Sequence, residues 1–216
     1  MGLRIATNIA SQTVQKNLKE ISSAGDLSLE RLSSGKRINK AADDAAGLAI
    51  ATNLDAQTKG LRQATRNAND GISLVQTAEG GLQETTNILT RLRELTIQAA
   101  SDTVGDQERS FLDKEYQQLT QEVDRIAQST TFNGTPLLNG ESQRTMDIQV
   151  GVFAGKDNKI SYDASAQNAT ASAIGIGGTS IVEKGDALDA IGNIDKAIQR
   201  VSGQRATLGS VQSRLQ

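Results

Sequence analysis

Cysteine, histidine and tryptophan are all absent from this sequence, and it has a single proline, Pro136. Without cysteine and histidine it lacks the common soft-metal ligands, the thiol nucleophile and the side chain that exchanges protons near neutral pH. The many serines and threonines also have no histidine to act as a base for nucleophilic catalysis. We therefore predict a protein that is not an enzyme and that binds no cofactor and no metal ion.

An excess of charge of either sign is also absent. The 23 basic and 25 acidic residues are spread along the sequence and leave a formal charge of -2. No basic stripe is available for a phosphate backbone, so we expect no nucleic-acid partner. The first residues lack the apolar stretch of a Sec-type signal, and no later segment approaches the length of a membrane span. We therefore expect neither Sec export nor a membrane location.

Aliphatic residues at helical spacing are what the sequence does have. Aromatic residues make up only 2% of the total, so any core must consist of Leu, Ile, Val and Ala. From Leu3 to Leu32 apolar residues recur mostly at intervals of three to four, which predicts an amphipathic helix within residues 1–33. The Ser33-Ser34-Gly35 triplet ends this helix, and the Ala-, Asp- and Gly-rich residues 34–47 predict a connector.

An unbroken heptad repeat follows the connector and predicts a long helix over residues 48–100. Its small companion residues at 64, 71 and 78 permit close helix approach. At ~1.5 Å per residue such a helix is about 80 Å long, and it cannot bury its apolar seam without partners. The seam of this helix is formed by Leu54, Leu61, Ala68, Val75, Leu82 and Leu89.

Two further helices and a β region supply those partners. Apolar residues from Leu112 to Ile126 predict a helix over residues 106–128, and a second heptad seam, Ile194, Val201 and Leu208, predicts another over residues 186–216. Between them, in residues 131–182, apolar and polar residues alternate from Met146 to Val152 and again around Ile160, which predicts a β-hairpin. We expect a loop or weak strand over residues 164–179. The predicted fold is mainly α, a long antiparallel coiled-coil-like helix bundle with a small β-hairpin region.

Four short strings in this order resemble those of bacterial flagellins, and the resemblance covers essentially the whole sequence. The strings are Leu-Ser-Ser-Gly-Lys-Arg-Ile-Asn at 32–39, Ala-Asp-Asp-Ala-Ala-Gly at 42–47, Leu-Arg-Glu-Leu-Thr-Ile-Gln-Ala at 92–99 and Thr-Phe-Asn-Gly at 131–134. The resemblance implies an inner-core helix at 1–33, the connector at 34–47 and an outer-core domain at 48–216. It also implies a structural subunit that polymerises by helix packing into the extracellular filament used for swimming.

Two departures from the larger flagellins are visible in the sequence. Residues 164–185 leave no room for a variable outer domain, so the resemblance is to a minimal flagellin. The last seam stops at Leu215 without a capping signal. The C-terminal inner-core helix of the family would follow Gln216 and is not in the sequence, so we expect that the complete gene product elongates filament seeds and that these 216 residues do not.

The resemblance also implies partners. Besides other copies of the subunit, these are the flagellar cap and hook-associated proteins, the type III export apparatus with its chaperone, and the flagellin-sensing Toll-like receptor of animal hosts. The residues that match the receptor-recognition patch are Arg91, Leu95, Gln98 and Glu115. The first three lie three to four residues apart, so they share one helical face, which could equally pack against another subunit.

Two other functions remain open from the sequence, and a third, hydrolysis by paired carboxylates, is disfavoured. A hook–filament junction protein shares terminal helices with flagellin, although the 131–134 string followed by Leu137-Leu138 favours flagellin. A coiled-coil binding module that does not polymerise would lack the β-hairpin. A carboxylate hydrolase needs two converging acids, and adjacent Asp43 and Asp44 would point about 100° apart on a helix, so we predict a helix-start role for them.

Overall fold

The computed structural model describes residues 8–140 and 145–216. The protein divides into two units at Lys59–Gly60, a point inside the longest helix. Short 3-10 turns lie at Lys156–Asn158 and Ser165–Gln167. The helices and strands in sequence order are α1 (Ile9–Ser34), α2 (Ala45–Ala99), α3 (Asp106–Ser129), β1 (Thr131–Phe132), β2 (Thr135–Pro136), β3 (Thr145–Gln149), β4 (Lys159–Asp163), α4 (Ala171–Ile174) and α5 (Lys184–Leu215).

The first unit contains α1, the connector and the first residues of α2. The Asn8 side chain accepts a hydrogen bond from the Ser11 backbone at 3.1 Å and caps the start of α1. The helix ends where Gly35 takes the left-handed conformation, with φ 65°, which glycine adopts at little cost. Residues 1–7 of the predicted inner-core helix lie outside the described residues. α2 begins three residues earlier than expected because Asp44 accepts a bond from the Gly47 backbone at 2.8 Å and acts as its cap.

In the second unit α2, α3 and α5 form an antiparallel bundle, and this confirms the predicted fold class. α3 turns back on α2 after a short turn, and two ion pairs between α5 and the α2 region show that α5 also runs antiparallel to α2. At the start of α5, Nζ of Lys184 binds the carboxylate of Asp102, just past the end of α2. Further along α5, Nη2 of Arg205 lies 3.6 Å from Oε1 of Glu79, which is earlier in α2. The core is mostly aliphatic, as the composition predicts, but both tyrosines, Tyr116 and Tyr162, are also buried in it. Its fully covered helix residues include Val75, Ala78, Leu82, Leu89, Leu92, Val123, Ala127, Ile194, Ala197, Val201 and Leu208.

Two antiparallel hairpins pack on this bundle. β1 pairs with β2, with Thr131 opposite Pro136 and the two-residue loop Asn133-Gly134 between the strands. β3 pairs with β4 over five residues each. The alternation in the sequence predicts that the first strand continues to Val152, but β3 ends at Gln149. The ladder stops there because the backbone N–H groups of residues 150 and 151 both donate to the Asn158 carbonyl, at 2.9 and 3.2 Å.

Three glycines of α2 let these hairpins approach the helix closely. A Cβ atom at Gly71 would lie 2.7 Å from Cδ1 of Ile148 in β3, and one at Gly60 would lie 3.1 Å from Val152. At Gly81 a Cβ would meet Thr130 just before β1. Of these glycines only Gly71 belongs to the small flank of the α2 seam, which the sequence assigns to helix packing and which here also accommodates the β region.

The segment between β4 and α5 is anchored to α3 by two carboxylates. Asp124 accepts the Ala171 backbone N–H at 2.7 Å, and Asp113 accepts that of Ile181 at 2.9 Å. The residues between these anchors form the short helix α4, after which three successive N–H groups, at 175–177, donate to the Ala171 carbonyl. The segment predicted as a loop or weak strand, residues 164–179, therefore contains a helical turn. Its backbone N–H groups donate to the Ala171 carbonyl and to Asp124 of α3, so they are not available to pair with another strand.

Candidate subunit interface and recognition patch

The heptad seam of α2 is buried over only part of its length. Val75, Leu82 and Leu89 have no exposed surface, and Ala68 is half-buried. The α5 seam residues Ile194, Val201 and Leu208 are equally buried, so the two seams contribute to one core. Leu54 and Leu61 continue the α2 seam in the same register, yet each is 56% exposed. The first part of the seam therefore has no cover within the described residues.

Exposed apolar side chains occur along α1 and along the first part of α2, as far as Leu61 just inside the second unit. None of the described residues in 8–59 is buried, and α1 has no buried residue at all. Apolar side chains with the three- to four-residue spacing of one helical face normally face a partner, because exposed stripes of this length are unfavourable in water. We call the following set the apolar stripe: Ile9, Val14, Leu18, Ile21, Leu29, Leu32, Ile50, Leu54 and Leu61, all of which are between 56% and 81% exposed.

The connector gives the first unit a defined local shape. The Asp43 carboxylate accepts the backbone N–H groups of Asn39 and Lys40 at 3.0 and 3.1 Å, and these bonds lower its pKa. The Lys40 ammonium reaches Glu30 of α1 at 2.8 Å, which raises the pKa of that lysine. Asp43 and Asp44 thus both bind nearby backbone. Beside the connector a groove of about 370 Å³ is lined by Lys36, Ile38, Leu48, Ala51, Thr52 and Asp55.

The four residues of the recognition patch lie on the last turns of α2 and on α3, and they differ in exposure. Arg91 donates to Glu115 from Nε at 3.1 Å and from Nη2 at 2.9 Å, and it also reaches Glu94 at 3.1 Å. These carboxylates raise the pKa of Arg91. Gln98 is exposed, whereas Leu95 is only 1% exposed and belongs to the core. Arg91, Gln98 and Glu115 are therefore the three that another molecule can reach.

Acidic and glycine-rich segments outside the recognition patch form turns and loops. Among residues 8–140 and 145–216, no group of three or more Asp, Glu, His or Cys is placed to hold a metal ion. Asp157 and Asn158 form a 3-10 turn between β3 and β4, and Gly175 and Gly178 take left-handed turn conformations after α4. In the same described part of the protein, no helix has the length and hydropathy of a membrane span.

Sequence reasoning missed two side chains that the structure makes prominent. Arg109 is only 8% exposed, and its guanidinium donates to the Ala99 carbonyl at 2.8 Å and the Ser101 carbonyl at 3.0 Å, closing the C-terminal end of α2. The only signal in the sequence was that a basic residue, Arg109, follows closely after a helix end, where it can bind the last carbonyls of that helix. Phe153, between β3 and β4, is 64% exposed, and nothing in the strand pattern distinguishes it from a buried aromatic.

Comparison with known proteins agrees with this architecture. A family model described as the bacterial flagellin N-terminal helical region matches residues 5–143. B-type flagellin of Pseudomonas aeruginosa is 51% identical over 175 residues, which is 81% of this chain and 35% of that protein. Flagellin of Halalkalibacterium halodurans is 40% identical over 209 residues, 97% of this chain and 76% of that protein. The present sequence thus spans about a third of the first relative and three quarters of the second.

A solved structure resembles the fold directly. The crystal structure of Bacillus cereus flagellin superposes with a TM-score of 0.61 at 33% identity, covering 70% of this chain and 85% of that one. The family model covers more than half of the sequence, and the Halalkalibacterium relative aligns along nearly all of it. With its helix order, its paired seams and its hairpins, the chain belongs to the bacterial flagellin family.

Proposed function

We propose that this protein is a structural subunit of the bacterial flagellar filament and that the apolar stripe is where it assembles. The observation that carries the proposal is the contrast along one helix. The α2 seam is fully covered from Val75 onward and more than half exposed at Leu54 and Leu61. Because the register does not change, the uncovered part is suited to the same kind of helix packing with another copy.

The free energy available from the stripe is of the size that assembly requires. Burying a fully exposed Leu or Ile side chain contributes ~1.5–3 kcal/mol, and these side chains are already partly covered. The stripe as a whole would then contribute on the order of 10 kcal/mol, against a cost of roughly 4–15 kcal/mol for the lost freedom of a bound subunit. α1 carries three basic and three acidic residues, so net charge repulsion does not oppose its packing.

The test uses the encoding gene in a bacterium from which its own flagellins have been deleted. We expect Leu18→Glu and Leu54→Glu each to abolish filaments and swimming, because each puts a charge into the packed stripe. Neither change should unfold the second unit, since both side chains lie in the exposed stripe. Ser23→Glu adds the same charge at an exposed position on the face of α1 opposite Val14, Leu18 and Leu32, and it should swim normally. Immunoblots of the medium separate failed assembly, in which monomer accumulates outside the cell, from failed export.

Normal filaments from Leu18→Glu and Leu54→Glu would refute an assembly role for the stripe. We also propose, on the family resemblance, that the subunit is secreted through the type III export apparatus with a chaperone and meets the cap and hook-associated proteins at the filament. If the protein were instead a hook–filament junction protein, deleting its gene would prevent filament formation even in a strain with another intact flagellin gene. That strain therefore distinguishes the two roles.

The recognition patch supports a second proposal, that the protein is a ligand of the flagellin-sensing Toll-like receptor. The supporting observation is that Arg91 and Glu115 form an ion pair on the surface, and that Gln98, seven residues after Arg91 on α2, is also exposed. Arg91→Ala should lower signalling in receptor-bearing cells with little change in stability, because exposed ion pairs contribute little to folding. Arg125→Ala is the matched control, since it removes a similar exposed pair with Glu122 elsewhere on α3. Equal potency of the two variants would contradict the proposal.

A further inference from the structure

The sequence contains two Asn-Gly pairs, Asn133-Gly134 and Asn139-Gly140, only six residues apart. An Asn-Gly pair can react with itself. The backbone nitrogen of the glycine attacks Cγ of the asparagine, the bond from Cγ to the amide nitrogen Nδ2 breaks, and ammonia leaves with the proton of the attacking nitrogen. Water then opens the resulting succinimide at either carbonyl and yields aspartate or isoaspartate. The reaction needs only water, and glycine favours it because it has no side chain to obstruct the attack.

The structure places the two pairs in different surroundings. Asn133 and Gly134 form the exposed two-residue loop between β1 and β2, and a Cβ on Gly134 would meet nothing within 4 Å. No hydrogen bond of the Asn133 side chain or the Gly134 N–H occurs among the described residues. The attacking nitrogen and its target are therefore both open to solvent and to movement.

The second pair is packed. Asn139 is half-buried and is not without a partner, and it follows Leu138, which is fully buried. The Leu138 carbonyl accepts the Ala169 N–H at 2.8 Å, and a Cβ on Gly140 would overlap the Asn168 side chain. Movement of this pair toward a succinimide would have to displace the segment anchored across it.

The strands that hold the exposed pair are short. Asn133 is the one non-glycine residue with positive φ, 49°, among the described residues, a conformation that asparagine tolerates in a two-residue hairpin loop. It is held by strands of two residues each, and a ladder this short opens locally at small cost. We propose that Asn133 is a site of spontaneous deamidation and isoaspartate formation in the folded protein, and that Asn139 is protected.

Isoaspartate at position 133 would change the backbone of the β1–β2 loop as well as the side chain. Isoaspartate routes the main chain through Cβ, so the loop gains a backbone atom and the pairing of Phe132 with Thr135 cannot be kept. Phe132 lines a groove of about 290 Å³ with Leu74 and Ile148, so the groove loses one wall as the protein ages. This inference concerns the second unit and does not depend on the proposed filament function.

The test follows both asparagines in the folded protein during incubation in mildly alkaline buffer. Peptide mapping by mass spectrometry and labelling with an isoaspartyl methyltransferase give the two rates. We expect Asn133 to convert more than about tenfold faster than Asn139, because a packed segment opens to reactive conformations far less often. In concentrated urea the two rates should converge. The Asn133→Gly variant, which keeps a residue that tolerates positive φ, should lose most of the isoaspartate signal.

Equal rates at the two positions in the folded protein would overturn the proposal, as would faster conversion of Asn139. So would an Asn133 that stays intact while the urea-unfolded protein converts completely. Hydrogen exchange at Leu137, whose N–H donates to the Thr130 carbonyl at 3.0 Å beside the hairpin, checks the structural consequence. Its protection should fall in step with conversion of Asn133, and unchanged protection in the isoaspartyl form would contradict the loss of the hairpin.

Discussion

The two halves of the α2 seam allow one substitution to be compared in two environments. Leu89 and Leu61 occupy the same heptad position of one helix, but Leu89 is fully buried and Leu61 is 56% exposed. Truncating a fully buried Leu to Ala removes its burial and leaves a cavity, so Leu89→Ala should lower the free energy of unfolding by about 3 kcal/mol. Leu61→Ala removes a side chain already largely in water and should cost about 1 kcal/mol or less. Helix propensity differs little between Leu and Ala and does not blur the comparison.

Urea denaturation followed by far-UV circular dichroism measures both changes. With a slope of about 2 kcal/mol per molar urea, Leu89→Ala should shift the midpoint down by roughly 1.5 M and Leu61→Ala by less than about 0.5 M. An unchanged slope shows that each variant unfolds from the same native state. Similar midpoints for the two variants would refute the division of the seam into a covered and an uncovered part.

Three further predictions address the second unit. Arg109→Met keeps the apolar stem but leaves two backbone carbonyls unpaired, so it should lower the free energy of unfolding by about 1–3 kcal/mol in the same urea assay, and an unchanged midpoint would contradict the capping role. Gly71→Val should destabilise the protein by about 1–3 kcal/mol more than Gly80→Val, because only the first site is packed against β3 and α5, and equal urea midpoints would contradict that packing. Lys184 lowers the pKa of Asp102, so this pair contributes above the ordinary aspartate pKa of 3.8 and is lost as the pH falls through the lower folded value. In an NMR titration the Asp102 midpoint should lie below 3.8 and return toward it in Lys184→Met, and equal midpoints would contradict the pairing.

Periodicity alone predicts the long helices because each carries apolar residues at helical spacing, whether or not that face is buried. The spacing of seven from Val75 to Leu89 and from Ile194 to Leu208 predicts two seams, and the structure buries both. The same spacing could not show where burial stops. Leu61 and Leu82 are indistinguishable in sequence, and only the tertiary structure shows that Leu61 is uncovered while Leu82 lies in the core.

The β region was less predictable because its details depend on long-range contacts. Alternation predicted a strand to Val152, but the Asn158 carbonyl takes two N–H groups and ends the ladder at Gln149. The helical turn α4 depends on Asp124, which lies 47 residues earlier in the sequence than Ala171. The β1–β2 hairpin did have a local signal, since Asn-Gly is the preferred loop of a two-residue hairpin.

The exposure of the recognition patch also depends on tertiary packing. Spacing places Arg91, Leu95 and Gln98 on one helical face and the family resemblance assigns all three to recognition, but α3 returns along that face and divides it. Leu95 enters the core while Arg91 pairs with Glu115 outside it. Residues that sequence spacing assigns to one helical face can therefore differ in exposure, because a neighbouring helix covers only part of that face.

The central proposal, that the apolar stripe is buried on assembly, is tested most directly by hydroxyl-radical footprinting of the monomer and of native filaments. We predict that Leu18, Leu54 and Leu61 react readily in the monomer and become protected in the filament. Leu89 and Ile194 should be protected equally in both states. Equal reactivity of the three stripe residues in monomer and filament would contradict the account.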